Sequence, residues 1–212
     1  MSAKHKFLFL SLVSMFSFGI FAQTPIKKAF IDAPFEVIPT IPVISRLDMI
    51  DYFEHDMQRP SATYFNEEVM ITEMDSCHIS TSLGSNTDFD IWVVKDKADT
   101  LYVVAETLKL PAPDSKVTVY RTDWTPLAKR DAGLLKEWLQ QESLKAGKLP
   151  DVENALSFMT ASATVDSASN TLVFVNTAEQ LVVPEEYMTV KPFLKNNRKF
   201  TISSKGFKES LK

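Results

Sequence analysis

Between residue 69 and about residue 121, apolar residues recur at every second position, in runs rich in β-branched and aromatic side chains. Successive side chains on a strand point to opposite faces, so this period commits the middle of the chain to a sheet. Strands are predicted over 69–74, 77–83, 89–95, 101–108 and 116–122. The connectors Gly84-Ser85-Asn86-Thr87, Asp96-Lys97-Ala98-Asp99 and Pro111-Ala112-Pro113-Asp114 are short clusters of turn formers. A parallel crossover needs a dozen or more residues, so the sheet is expected to be an antiparallel meander. Trp92 between Ile91 and Val93 makes one strand apolar on both faces, which predicts cover on both sides.

The flanks carry a different period. Pro34, Pro39 and Pro42 punctuate short apolar pieces that read as helical turns forming a lid or collar. Ser45, with Asp48 three positions on, reads as the capping box of a helix that ends before Pro60. Ile50, Phe53 and Met57 would share its inner face, while Asp48, Asp51 and His55 share the outer one. Beyond the sheet, Asp131 would cap a helix with the stripe Leu134, Leu135, Trp138 and Leu139, stopped by Gly147 and Pro150. A short helix from Asp151, a hairpin over 161–165 and 172–176, a strand over 181–183, a turn or helix after Pro184 and a strand over 199–203 follow.

The N-terminus reads as an export signal. Lys4 and Lys6 precede an apolar run over 7–22 that ends in Phe21-Ala22-Gln23, so cleavage is expected after Ala22 and the protein is expected to be periplasmic or secreted. No segment after the signal is expected to span a membrane, and Gln23 stands where a lipoprotein would need Cys. Cys77, the single cysteine, cannot form an internal disulfide, so the core must supply the stability.

Composition excludes several function classes. The chain has 5 Gly in 212 residues, too widely spaced for a dinucleotide or phosphate loop. Its formal charge is −4, and the first 22 residues hold no acid, so the remainder is more acidic still; it offers no basic stretch for nucleic acid.

In order along the chain, Arg46-Leu47-Asp48-Met49-Ile50-Asp51-Tyr52, Pro111-Ala112-Pro113-Asp114-Ser115 and Tyr120-Arg121-Thr122-Asp123-Trp124-Thr125-Pro126-Leu127 resemble segments of the domain-of-unknown-function (DUF) family 3256, exported proteins of Bacteroides-type bacteria. The resemblance implies an exported, self-contained fold and transfers no functional residue.

The candidate chemistry is sparse. His55 with Asp48 and Asp51 is the best titratable constellation, yet no HExxH or CxxC completes a zinc site, so a solvated helix face or partner surface is the expectation. Cys77 and His78 are adjacent on a predicted strand and would point to opposite faces, with Cys77 inward beside Ile79 and Leu83 and His78 outward beside Ser80 and Ser82. Asn86-x-Asp88-x-Asp90 begins like a calcium loop, but Ile91 and Lys97 stand where glycine and a bidentate Glu are required, leaving a polar turn. Trp124 falls in a turn, either anchoring the sheet edge or offering a stacking surface.

These readings combine into an α+β fold in which N-terminal short helices pack on a mainly antiparallel β-sheet, with two helix-plus-sheet lobes as an alternative. The expected divisions are 1–22 as signal peptide, 23–128 as N-terminal helices and meander, and 129–212 as helix and second β region packed as one unit with the first. The expected function is that of a non-catalytic binding or envelope-accessory protein without cofactor or metal. Its partner would be another envelope or extracellular protein or ligand and not nucleic acid, with Asp48, Asp51, His55 and Trp124 as its surface. The alternative is an exported hydrolase whose acidic or His residues are assembled by the fold.

Overall fold

The computed structural model describes residues 24–210; the expected signal peptide lies outside the described residues. Pro25 starts α1 (Pro25–Asp32), its missing N–H falling where a helix has no use for one. Helix α2 (Val43–Glu54) follows Pro42 and therefore begins two residues before Ser45. Ser45 is buried and no capping box forms; its hydroxyl donates instead to the Ala62 carbonyl at 2.7 Å.

The predicted meander is present and longer at both ends. Strands β1 (Ser61–Ala62), β2 (Glu68–Met74), β3 (His78–Leu83), β4 (Thr87–Asp96), β5 (Asp99–Leu108), β6 (Asp114–Arg121) and β7 (Pro126–Arg130) pair in chain order, each antiparallel to the next. Strands β1 and β7 lie outside the expected set, because two residues in one case and a Pro-led stretch in the other show no period of two. Cys77 stands just before β3, in a bend closed by the Asp75 carboxylate, which accepts from the backbone N–H groups of Cys77 and His78. The expected inward thiol is thus corrected to a half-buried one, with Sγ 3.1 Å from the Ser167 hydroxyl. Asp88 and Asp90 lie within β4 rather than in a turn.

The helix expected from Asp131 is broken into α3 (Leu135–Trp138) and α4 (Gln141–Lys145), because Leu139 leaves the helical path to bridge to Leu194. Asp131 closes a local turn onto the Gly133 N–H instead of capping a helix. Helix α5 (Leu149–Ala155) leads into β8 (Ala161–Asp166) and β9 (Thr171–Asn176). The strand expected over 181–183 is absent, since a 3-10 turn (Ala178–Gln180) carries the chain into α6 (Pro184–Val190). Strands β10 (Asn197–Ser203) and β11 (Gly206–Glu209) complete a second antiparallel sheet of order β11-β10-β9-β8.

Three layers result. On one face of the large sheet, Ile26 and Phe30 of α1 and Met49 and Ile50 of α2 bury Val69, Ile79, Ile91 and Val104. On the other face, Val94, Val103 and Val119 share a core with Trp138 of α3 and with Phe174 and Phe200 of the second sheet. Ile91, Trp92, Val93 and Val94 are therefore all buried, as the doubly apolar strand predicts. Side chains tie the sheets together: Asp114 and Ser115 accept from the Ala161 and Ala163 N–H groups, and Asp96 accepts from the backbone and hydroxyl of Ser204. Among the described residues no helix is long and apolar enough to cross a membrane.

Candidate binding surface

Helix α2 packs on α1, β1 and β2, with Ser45, Arg46, Met49 and Ile50 buried. At 3.6 residues per turn, its opposite face carries Ile44, Leu47, Asp48, Asp51 and His55, spaced i, i+3, i+4, i+7 and i+11. The predicted polar residues thus continue an apolar stripe. Ile44 is 65% exposed and Leu47 43%. Beside this end of the helix, Phe35 is 62% exposed, and Tyr64 and Phe65 in the β1–β2 turn are 58% and 72% exposed.

These aromatic residues are held outward by defined contacts. The Tyr64 N–H donates to the Thr40 carbonyl at 2.9 Å, and the Phe35 and Tyr64 ring centroids are 6.4 Å apart. Buried Thr63 accepts from the Phe65 and Glu67 N–H groups through its hydroxyl, which shapes the turn that presents Phe65. Phe35 and Tyr64 thus form an exposed aromatic pair, and adjoining exposed apolar side chains mark an interaction site more often than scattered ones do.

Asp51 and His55 meet at the other end of the stripe. His55 Nδ1 is 2.8 Å from the Asp51 carbonyl and 3.3 Å from its carboxylate. The carbonyl first, then the carboxylate charge, raise the His55 pKa above its ordinary value. Asp48 is half-buried, and Trp124 is not brought to this group. Trp124 occupies the β6–β7 turn at φ 65°, with its ring 4.7 Å from Tyr102 and 5.5 Å from Tyr120. At about 4.8 Å per strand, that turn lies roughly 19 Å across the sheet from β2.

A second polar grouping was not anticipated. On the face away from the helices, His78 Nε2 lies 2.9 Å from Asp90 and its ring stacks on Trp92 at 4.6 Å, while Lys109 pairs with Asp88 at 2.8 Å. They line a groove of about 470 Å³ beside β8. The hairpin register places His78 opposite Trp92 and Ser80 opposite Asp90, so period-two alternation across the 84–87 turn was the available signal. His78 is held by both neighbours, and Cys77 pairs with Ser167 rather than with a histidine. Asp114 is the acid whose surroundings most favour protonation, burial raising its pKa, but it also receives the Ala161 N–H.

The family described as Protein of unknown function (DUF3256) matches residues 17–207. The chain belongs to this family. No curated protein matches it. A solved domain of an uncharacterized protein from Porphyromonas gingivalis W83 superposes with a TM-score of 0.67, covering 88% of this chain and 98% of that one at 14% identity. That identity carries the fold alone. The family-like segments have visible tasks in it: Arg46 binds the end of α1, Asp114 and Ser115 hold β8, and Trp124 covers Tyr102 and Tyr120.

Proposed function

We propose that this is an exported, non-catalytic binding or envelope-accessory protein that docks another envelope or extracellular protein on the outer face of α2. The observation that carries the reading is the exposed stripe Ile44 and Leu47, continued along α2 by Asp48, Asp51 and His55, with the exposed aromatic residues Phe35, Tyr64 and Phe65 on the loops that bond to each other and to the start of the helix. An apolar centre with a polar rim is the usual anatomy of a protein interface, with aromatic residues as its anchors. Export is supported by Lys4, Lys6 and the apolar run ending at Ala22.

The test compares capture from the native envelope by the mature protein and by the double variant Ile44→Ser, Phe65→Ser. Both side chains are largely exposed, so the variant should melt within a few degrees of wild type, while a partner held by the apolar centre should be lost. A partner retained in equal yield by the variant contradicts the docking face. Mass spectrometry of the native protein checks export, with Gln23 expected as the first residue.

A further inference from the structure

The outer edge of β2 is left open where β1 stops. Ser61 pairs with Val69, Ala62 with Glu68, and the Thr63 N–H donates to the Glu67 carbonyl, so Glu67 and Val69 turn their backbone groups toward β1. Alternation then turns the N–H and C=O of Ile71 in the same direction, beyond Pro60, which cannot donate to a ladder and ends β1. Among the described residues no strand lies opposite Ile71 on that side. Instead there is a hollow of about 390 Å³ between the edge and the end of α2, lined by Met49, Phe53, Met57, Met70 and Arg59. Asp56 and Arg59 both line the hollow, while on the other face of the sheet Glu68 and Glu73 are exposed at the two ends of β2 and make that side of the edge acidic.

We propose that this edge receives an extended, basic segment of a partner protein as an added strand. Its backbone would pair with Ile71, its apolar side chains would enter the methionine-lined hollow, and its Lys or Arg residues, alternating to the other face of the sheet, would meet Glu68 and Glu73. A strand laid between a helix and a sheet edge draws affinity from main-chain hydrogen bonds and specificity from alternate side chains. The bulge between Ile71 and Glu73 bends the edge and keeps the addition short, a device that discourages open-ended pairing between copies. This surface is separate from the outer face of α2 and goes beyond the role proposed for it.

The probe is an end-blocked seven-residue peptide alternating Lys with Val, added to the mature protein and followed by amide hydrogen exchange and by affinity at rising salt. The expected result is slower exchange at Ile71 by about tenfold or more, with binding that weakens as salt rises. Methylating the peptide nitrogens that would pair with β2, or replacing its Lys by Glu, should each weaken binding by about tenfold. The Ile44→Ser, Phe65→Ser variant should bind the peptide as wild type does, so the two surfaces fail or succeed separately. Equal binding of the methylated peptide, equal binding of the Glu peptide, protection that bypasses Ile71, or a β2-paired dimer of the protein in sedimentation would each overturn the proposal.

Discussion

Arg46 Nη1 donates to the Ala33 carbonyl at 2.6 Å, and the same nitrogen reaches the Phe30 and Ile31 carbonyls at 3.1 Å, while Nε reaches Ile41 at 2.9 Å. One buried side chain on α2 therefore supplies the donors that the last turn of α1 lacks, since the final carbonyls of a helix have no partner within it. Burial lowers the Arg46 pKa. The cation is solvated by backbone oxygens, and this contact fixes how α2 sits and which of its faces points outward.

Replacing Arg46 by Met should therefore cost about 3–5 kcal/mol, because several buried carbonyls lose their donor together. Arg46→Lys should recover only part of this, as a single ammonium cannot span oxygens from two segments in the manner of a guanidinium. Urea denaturation checks both variants; a Met variant as stable as wild type would show that the contact contributes little.

Acid should loosen the second sheet first. Buried Arg198 holds both carboxylate oxygens of Glu209 at 2.9 Å, and Glu137 at 2.7 Å. These bonds place the Glu209 pKa below its ordinary 4.5. A depressed carboxylate stabilises the fold fully above its unfolded value and loses that contribution as pH falls through the folded one. Stability should thus decline below about pH 4.5, and Glu209→Gln should flatten that decline while lowering stability at pH 7. Equal slopes for the two proteins would remove Glu209 from the acid response.

His55 should titrate above the ordinary histidine value in an NMR pH series. Asp51→Asn removes the carboxylate but leaves the carbonyl, so the midpoint should fall only partway back. A complete return would assign the whole effect to the charge.

Trp124→Ala should destabilise by about 2 kcal/mol through lost packing on Tyr102 and Tyr120. Trp124→Gly should cost less than Ala, since φ 65° strains any residue with a Cβ. Thermal melts decide it: Gly as the worse substitution would show that backbone strain does not matter at this turn.

The meander was legible because its signal is local. Period-two runs and short polar connectors give strand, direction and neighbour at once, and the structure departs from them by only a few residues at each end. The second half was less so: nothing local at Leu139 announces its bridge to Leu194, and that long-range pairing is what divides the expected helix. The polar half of the α2 stripe was visible in Asp48, Asp51 and His55. Its apolar half rests on Ile44 as well as Leu47, and a helix that starts at Ser45 leaves Val43 and Ile44 outside the wheel, so that Leu47 stands there alone among polar residues. With them included, α2 is apolar on two sides, and a helix on the outside of a domain needs only one side for its core.

Whether this surplus side is a docking face is decided by site-specific photo-crosslinking in exporting cells. A benzophenone side chain placed at Ile44 or Phe65 should capture one and the same partner protein, while the same group at exposed Lys205 captures none of it. Mature protein that yields no product from positions 44 and 65, or the same product from all three positions, would show that the outer side of α2 docks no partner.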